Sequence, residues 1–268
     1  MAEIRPYIHC SPSILNWKDK IFKRFNGQEY HWWRNKSKPV IFFGLYRPSD
    51  FLKFWWHKGE KTVIWTGSDI LAMGWHSRWL QKIKANHICE NKVEQGVLET
   101  MLQQEIEVQP LFFGNPNEFK LSYKQSKTPE VFIHINRNAE RESGFFTIER
   151  ISKRLPYIKF HIYGKMSPRT TEHNIYFHGF VPEEQFNREI RQYHGALGLH
   201  HFCGFDDTVA KSVLMGQYPI TKVNYPRIDS YKDEEELIKL LDGLKNKKEP
   251  NYKARNYYLE QLNLPIWN

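Results

Sequence analysis

The second half of the chain alternates short apolar strands with helices, and this alternation narrows the possible folds more than any other feature. Alternating strands and helices are typical of a parallel sheet with helices on both faces, which binds ligands at the carboxyl ends of its strands. The sequence therefore predicts an α/β fold with a ligand site at that edge. The predicted strands are residues 130–135, 158–163, 175–177 and 196–200, and the predicted helices are 143–155 and 182–193.

A glycine loop and a capped helix follow the last of these strands. Gly204 precedes Asp206 and Asp207, both typical N-cap residues, and residues 216–219 (Gly-Gln-Tyr-Pro) end the helix before Ile220. A helix N-terminus binds phosphate because its free backbone N–H groups and its dipole favour an anion. We therefore predict a diphosphate site here, and simple N-capping is the alternative role of the two aspartates.

The first half of the chain alternates in the same way and predicts a second, shortened α/β domain with about four strands. Residues 114–129 are rich in Asn, Pro, Ser and Lys, which is typical of a linker. The predicted domains are residues 1–120 and 121–268, with a helix at 252–262 that crosses back to the first domain. The predicted strands here are 40–43, 62–66, 86–89 and 108–113, and the helices are 48–57, 76–84 and 92–102.

The second half resembles the group 1 retaining glycosyltransferases of the GT-B fold, over about residues 131–241. The resemblance implies two Rossmann-like domains facing a cleft, and transfer of a hexose from a nucleotide-sugar donor with retention of configuration. It implies no cofactor and no metal, since the donor is a substrate and the enzymes are metal-independent. The matching segments are Asn136-Arg137 with Ser143-Gly144, residues 162–165 (Ile-Tyr-Gly-Lys), residues 177–181 with Glu184, and residues 203–220.

The resemblance also assigns donor-binding residues. Arg137 and Lys165 lie just past predicted strand ends, where cationic side chains would neutralise the leaving diphosphate. The alternative for Lys165 and Lys211 is a solvated surface position. The predicted donor-binding residues are Arg137, Lys165, His201, Gly204, Phe205, Asp207, Thr208 and Lys211.

The chain departs from the family at two positions. The family has two glutamates eight positions apart, and these fall on Cys203 and Lys211. A thiol or an ammonium group cannot accept hydrogen bonds from sugar hydroxyls as a carboxylate does. Donor recognition therefore differs or is lost, and the alternative function is a non-catalytic nucleotide- or glycan-binding protein. A nucleotide-sugar 2-epimerase would need more carboxylates around the sugar than we find.

Two carboxylates are the predicted catalytic residues on the acceptor side. Asp69 ends the turn that follows strand 62–66, and Glu90 follows strand 86–89. A carboxylate there can orient or deprotonate an acceptor hydroxyl if its pKa is suitable. A turn-stabilising aspartate is an equal alternative for Asp69. His76 and His87 are secondary candidates, although a lone histidine is more often structural.

Basic charge and tryptophan concentrate near the amino terminus. Residues 1–61 contain 12 basic and 5 acidic side chains, and eight of the nine tryptophans precede residue 80. This combination suits nucleic acid, a lipid surface or a phosphorylated glycan. It leaves hydroxylated-base DNA, a lipid-linked glycan at a membrane or a soluble saccharide open as acceptor. The sequence of residues 14–25 predicts a basic amphipathic helix. Its apolar stripe either lies on a membrane or, as we favour, packs on its own domain. We expect at least half of the tryptophans to be structural.

The sequence shows no pattern typical of a membrane span or a signal peptide. No apolar run is long enough to span a bilayer, and the first eleven residues lack the apolar segment of a signal peptide. The three cysteines are widely spaced and form no metal or disulfide pattern. The sequence therefore predicts a cytoplasmic protein without a transmembrane segment, with peripheral binding to a membrane surface as the alternative.

Overall fold

The chain forms two compact units. The computed structural model describes residues 5–135, 144–164, 170, 172–200 and 205–264. The first unit holds the described residues up to Asn115 together with Phe205, and the second holds the other described residues from Pro116 onward. In the described part, no helix is long and apolar enough to cross a membrane.

The first unit is built on a parallel six-stranded sheet in the order β2-β1-β3-β4-β5-β6. Its central strand β3 is apolar throughout and buried on both faces, as parallel strands between two helix layers are. The order reverses between β1 and β3, which places a ligand-binding crevice at their carboxyl ends. The strands are β1 (Tyr7–Cys10), β2 (Gln28–Glu29), β3 (Val40–Phe43), β4 (Lys61–Ile64), β5 (Asn86–Cys89) and β6 (Glu107–Val108).

The helices of this unit agree with the sequence in part. Helix 92–102 was predicted to the residue, and Asn91 caps it by accepting hydrogen bonds from the N–H groups of Val93 and Glu94. The predicted helix 76–84 is shorter in the structure, where it spans Ser77–Leu80 and ends in a turn, and the helix at Ser68–Met73 was not predicted. The helices are α1 (Lys18–Phe25), α2 (Pro48–Trp56), α3 (Ser68–Met73), α4 (Ser77–Leu80) and α5 (Lys92–Leu102).

Two strands of the first sheet escaped sequence prediction. β1 includes a histidine and pairs along its length with β3, and two-residue β2 pairs with β1 only. A strand this short is defined by its neighbours and not by a hydrophobic period. The apolar stripe of the basic helix α1 buries Ile21 and Phe25, which confirms that this helix packs on its own unit.

The second unit contains a second parallel six-stranded sheet, in the order β9-β8-β7-β10-β11-β12. This is the order of the dinucleotide-binding Rossmann fold, and it reverses between β7 and β10. The carboxyl ends of these two strands therefore flank its ligand-binding crevice. The strands are β7 (Glu130–Ile135), β8 (Lys159–Gly164), β9 (Ile175–Gly179), β10 (Gly195–Gly198), β11 (Ile220–Thr221) and β12 (Asp229–Ser230).

Helices cover this sheet, and all of them except the helix at residues 234–243 were predicted. α6 buries Phe145, Ile148 and Ile151 at helical spacing, and it packs near α9 through an Arg150–Glu234 ion pair of 2.8 Å. The last helix, α10, packs on α8 of the same unit; its crossing to the first domain stays a prediction. The helices are α6 (Phe145–Arg154), α7 (Glu183–Glu189), α8 (Asp207–Leu214), α9 (Glu234–Gly243) and α10 (Tyr252–Gln261).

Much of the predicted linker is packed in the second unit. Tyr123 is buried and its hydroxyl donates to the carbonyl oxygen of Lys247 at 2.7 Å. Ser122 N donates to Met215 O at 3.1 Å. The composition of residues 114–129 is that of a loop, but two aromatic anchors, Phe119 and Tyr123, attach it to the second core.

The tryptophans are more exposed than we expected. Of the side chains described in the first unit, Trp65 is fully buried and Trp17 is partly buried. The expectation that at least half would be structural is therefore wrong, since α2, α4 and the turn after β2 direct five indoles outward. The exposed tryptophans are Trp32, Trp33, Trp55, Trp56 and Trp79.

Candidate functional site

The first unit places Asp69 beneath the carboxyl ends of β3 and β4. Its Oδ1 accepts a hydrogen bond from Thr66 N at 2.9 Å, and its Oδ2 accepts one from Leu45 N at 3.3 Å. The side chain is fully buried. Burial raises the pKa of Asp69 to about 6, although the backbone hydrogen bonds lower it. Both oxygens hold the loops after the two strands, which is the turn-stabilising role left open by the sequence.

Glu90 lies directly after β5 and is nearly buried. Its Oε2 accepts a hydrogen bond from Phe205 N at 2.9 Å, and Leu111 N is a second donor. Burial first, and then the charge of Glu94, raise the pKa of Glu90 well above its ordinary range. The structure thus brings Glu90 together with Phe205, which sequence reasoning assigned to the donor side.

Glu94 is a third carboxylate that sequence reasoning missed. It lies in the first turn of α5, and its Oε2 accepts from Glu90 N at 3.1 Å. Burial, together with the charge of Asp69, raises the pKa of Glu94 to about 7. Within the described residues, its Oε1 has no hydrogen-bond partner. The signal that could have revealed Glu94 is its position four residues after Glu90, in the first turn of a helix capped by Asn91.

These three carboxylates form a cluster that carries less negative charge than three separate acids. Each pKa is raised above its ordinary value, to about 6 for Asp69, to about 7 for Glu94 and well above the ordinary range for Glu90. A carboxyl group whose pKa lies near the working pH can accept and return a proton efficiently. The described residues contain no group of three His, Cys, Asp or Glu side chains placed to hold a metal ion.

We expect Glu94→Gln to change the pH dependence of stability. The raised pKa means that the folded state binds a proton that the unfolded state releases above about pH 4.5, so ionisation of Glu94 destabilises the fold as the pH rises through about 7. Relative to the wild type, the variant should therefore gain on the order of 2 kcal/mol between pH 5 and pH 8. Urea unfolding at both pH values measures this difference.

The control for this experiment is Glu99→Gln, on the exposed side of the same helix. Its free energy of unfolding, relative to the wild type, should be the same at both pH values. An equal effect of Glu94→Gln at pH 5 and pH 8 would contradict the raised pKa.

Two glycines shape the crevice of the second unit. Gly144, which precedes α6, has φ +80°, and a Cβ there would lie 2.7 Å from Leu199 Cβ. Gly164, at the end of β8, has φ +112°, and its Cβ would lie 2.0 Å from Ile135 O. Both positions exclude a side chain. The start of α6 thus packs directly against the segment after β10. This contact lies at the carboxyl ends of β7 and β10, where the strand order reverses.

The N-terminus of α8 lies on the other side of this reversal point. Asp206 caps it, because its Oδ1 accepts a hydrogen bond from Thr208 N at 2.7 Å. This bond confirms Asp206 as the N-cap and uses one of the amide groups predicted to face phosphate. Asp207 is partly buried and lies in the first turn.

Lys211 is buried inside the second unit. Its Nζ lies 2.7 Å from Asp207 Oδ2 and 3.2 Å from Glu183 Oε1, and 5.3 Å from the ring centre of Phe186. The solvated surface position is therefore wrong for this lysine. Two carboxylates compensate its charge, so it acts within the unit as the centre of an ion-pair network.

His134 on β7 is a further polar residue near α8. Burial lowers its pKa, while the charges of Asp206 and Asp207 raise it. Sequence reasoning missed His134 because it lies between two isoleucines in an otherwise mostly apolar strand, a pattern that usually marks packing.

The remaining predicted residues divide into two groups. His87 accepts a hydrogen bond from Trp65 Nε1 at 3.2 Å, and His76 stacks on Phe51 with ring centres 4.3 Å apart, so both pack in the first unit. Four predicted donor-binding residues, and the cysteine at a family glutamate position, lie outside the described residues. These are Arg137, Lys165, His201, Gly204 and Cys203.

Comparison with known proteins identifies the fold. No protein-family model matches the chain, and no curated protein matches its sequence. Among solved structures, the pneumococcal O-GlcNAc transferase GtfA in complex with UDP and GlcNAc matches with a TM-score of 0.58 and 16% identity, over 85% of this chain and 54% of that one. The chain thus spans about half the length of GtfA.

Two other solved structures match more of their own length. Anabaena HepE in complex with UDP and glucose matches with a TM-score of 0.59 and 8% identity, over 84% of this chain and 74% of that one. The lipopolysaccharide outer core galactosyltransferase WaaB matches with a TM-score of 0.58 and 11% identity, over 94% and 78%. The chain therefore has the GT-B fold, with two Rossmann-like α/β units, which confirms the predicted fold class.

Proposed function

We propose that this protein transfers a sugar from a nucleotide-sugar donor to an acceptor hydroxyl. The observation that carries the proposal is the reversal point of the second sheet, where β7 and β10 end and α6 and α8 begin. This is where α/β proteins bind nucleotides. The similar structures GtfA and HepE, both in complexes with UDP, support a nucleoside diphosphate as the donor's leaving group.

The chemistry divides between the two units. In the second unit, Arg137 and Lys165 follow β7 and β8 in sequence and would neutralise the diphosphate as the bond to the sugar breaks. In the first unit, both Asp69 and Glu90 hold backbone amides. We favour Glu90 to accept the acceptor's proton, because burial and the charge of Glu94 raise its pKa well above the ordinary range and make it the stronger base. Metal-independent hexosyl transfer with retention is the form of the reaction that we propose from the family resemblance.

The acceptor that we propose is a hydroxyl on an anionic molecule, either hydroxylated-base DNA or a lipid-linked glycan. Its support is the excess of basic side chains in residues 1–61. Transfer to DNA would weaken steeply with salt, because counterions are released when phosphates are neutralised.

A calorimetric and thermal-shift screen of uridine, guanosine, adenosine and thymidine diphosphates tests the donor site. We expect one diphosphate to stabilise the protein, by about 2.7 kcal/mol at a concentration one hundred times its Kd. Failure of every diphosphate and every nucleotide sugar would contradict the proposal.

Arg137→Ala is expected to weaken binding of that diphosphate by 10- to 100-fold. A hydrogen bond to a charged group contributes about 1.5–3 kcal/mol, and the variant loses it. Isothermal titration measures the affinity. Arg191→Ala, at an exposed arginine of the same unit, is the matched control and should bind normally. Equal affinities of the two variants would contradict the role of Arg137.

A non-catalytic nucleotide- or glycan-binding protein is the second candidate function. Lys211 supports it, since this lysine occupies a family glutamate position and is paired internally with Asp207 and Glu183. Such a protein would bind the diphosphate in the screen above but would release none from a nucleotide sugar over a range of acceptors.

A further inference from the structure

Helix α2 carries apolar side chains on both of its faces. Phe51 and Phe54 are buried in the first unit, whereas Leu52, Trp55 and Trp56 are 50–54% exposed. A surface helix of a globular protein ordinarily presents charged and polar residues to water. The outer face of α2 therefore has the composition of a contact surface.

Five exposed tryptophans make this face part of a continuous surface, which we call the indole patch (Trp32, Trp33, Trp55, Trp56 and Trp79). Successive ring centres lie 5.8 Å apart for Trp32 and Trp33, 6.5 Å for Trp32 and Trp56, 5.9 Å for Trp55 and Trp56, and 6.2 Å for Trp55 and Trp79. The rings come from three separate segments of the chain. An aromatic patch of this size, on the order of 500 Å², marks an interaction site.

A basic groove adjoins the indole patch. Trp55 lines a groove of about 730 Å³ together with Lys58, Lys61, Lys82 and Lys84, and Glu60 is its one acidic side chain. None of these four lysines forms an ion pair with a described carboxylate. The groove is therefore suited to anionic groups, and it lies beside an aromatic surface.

The patch and the groove lie at one edge of the first sheet. Lys61 begins β4 and the groove residue Asn86 begins β5, so the groove is at the amino ends of the parallel strands. Asp69 and Glu90 follow the carboxyl ends of the same two strands. A partner that covers the indole patch would leave the carboxylate cluster uncovered.

We propose that the indole patch docks on an anionic lipid bilayer, with the lysine groove receiving lipid phosphate groups. Indole rings prefer the boundary between hydrocarbon and water, because they combine an apolar body with one N–H donor. Lysines near such a surface attract anionic lipids. Single-stranded nucleic acid needs ring faces free for base stacking. Here Trp32, Trp33 and Trp56 pack edge to face on one another, and Leu52 extends the apolar surface. This docking is independent of sugar transfer.

Co-sedimentation of the full chain with vesicles tests the proposal. We expect binding to vesicles of equal parts phosphatidylglycerol and phosphatidylcholine, weakening with added salt, and little binding to phosphatidylcholine alone. Trp55→Ser with Trp56→Ser should weaken binding at least tenfold, since two interfacial indoles are lost. Lys82→Gln should weaken it about fivefold.

Matched controls separate the patch from general surface apolarity. Leu15→Ser with Leu71→Ser removes two exposed apolar side chains of the same unit outside the patch, and it should bind anionic vesicles normally. Trp32→Ser with Trp33→Ser changes the other end of the patch and should also weaken vesicle binding. This second pair keeps the proposal testable even if the α2 variant folds poorly. Circular dichroism and thermal melting check the fold of each variant.

Four results would overturn the proposal. The first is no binding to anionic vesicles, and the second is binding that both pairs of tryptophan variants leave unchanged. The third is tighter binding to single-stranded DNA than to vesicles, with loss in the same variants, which would assign the indole patch to nucleic acid. A dimer that buries these tryptophans and excludes vesicles would equally contradict lipid docking.

Discussion

Replacing Asp50 with alanine should destabilise the first unit by about 4 kcal/mol. This carboxylate is fully buried at the start of α2. It accepts hydrogen bonds from Ser11 Oγ at 2.6 Å, Arg47 N at 3.0 Å and the His9 ring at 3.0 Å. Alanine leaves these buried donors without an acceptor at the carboxyl end of β1, where the order of the first sheet reverses.

The pKa of Asp50 predicts how this contribution varies with pH. Burial would raise the pKa, but the hydrogen bonds from His9, Ser11 and Arg47 outweigh it and lower the pKa. A lowered carboxyl pKa stabilises the fold above the pKa of the unfolded state, and this stability is lost as the pH falls through the folded-state value. The cost of Asp50→Ala should therefore be largest at neutral pH and should shrink in acid.

Urea unfolding followed by tryptophan fluorescence measures the effect of Asp50→Ala. Trp65 is buried in the same unit and reports its unfolding. Asp19→Ala, at an exposed aspartate in the first turn of α1, is the control and should cost less than about 1 kcal/mol. Equal stability of the two variants at pH 7 would refute the structural role of Asp50.

Glu90→Gln should lower the rate of sugar transfer by about 10²- to 10⁴-fold, the usual contribution of a general base. The amide keeps an oxygen for the N–H of Phe205 but cannot take up a proton. The affinity for the nucleoside diphosphate should stay unchanged, because the donor site is assigned to the second unit. Release of nucleoside diphosphate from the donor, in the presence of acceptor, measures the rate.

Asp69→Asn separates the two candidate bases. Asparagine offers one oxygen where Thr66 N and Leu45 N each need an acceptor, so this variant should lose about 2 kcal/mol of stability. Glu99→Gln should transfer at the wild-type rate. A rate that survives Glu90→Gln but falls in correctly folded Asp69→Asn would assign the base to Asp69.

Local signals explain which elements could be predicted from the sequence. β7 is an apolar run before Asn136, and α5 has an N-cap at Asn91 with leucines at helical spacing, so their bounds agree with prediction. Each of these signals lies inside the element that it defines. β1 and β2 lack such signals, because they become strands only by pairing with β3 and with each other.

The candidate site divides along the same line. Asp69 was predicted because the turn Gly67-Ser68-Asp69 resembles that of the family, and Glu90 because it follows a strand whose carboxyl end lies at the ligand-binding edge of a sheet. Glu94 was missed, because its raised pKa depends on burial beside Glu90, which its position in the sequence does not reveal. A solvated position was left open for Lys211, because its partner Glu183 lies 28 residues earlier and the sequence does not reveal that the two side chains meet.

By itself, the sequence determined that this protein is built from parallel α/β units, since strand and helix periods and helix caps are properties of neighbouring residues. Only the tertiary structure decided which polar groups lose water and which apolar groups keep it. Asp50 became the acceptor for donors as far away as His9, and half of the surface of Trp55 and Trp56 stayed outside the core. Burial and charge interactions depend on distances in space between residues far apart in the chain, so they form only when the sheets assemble.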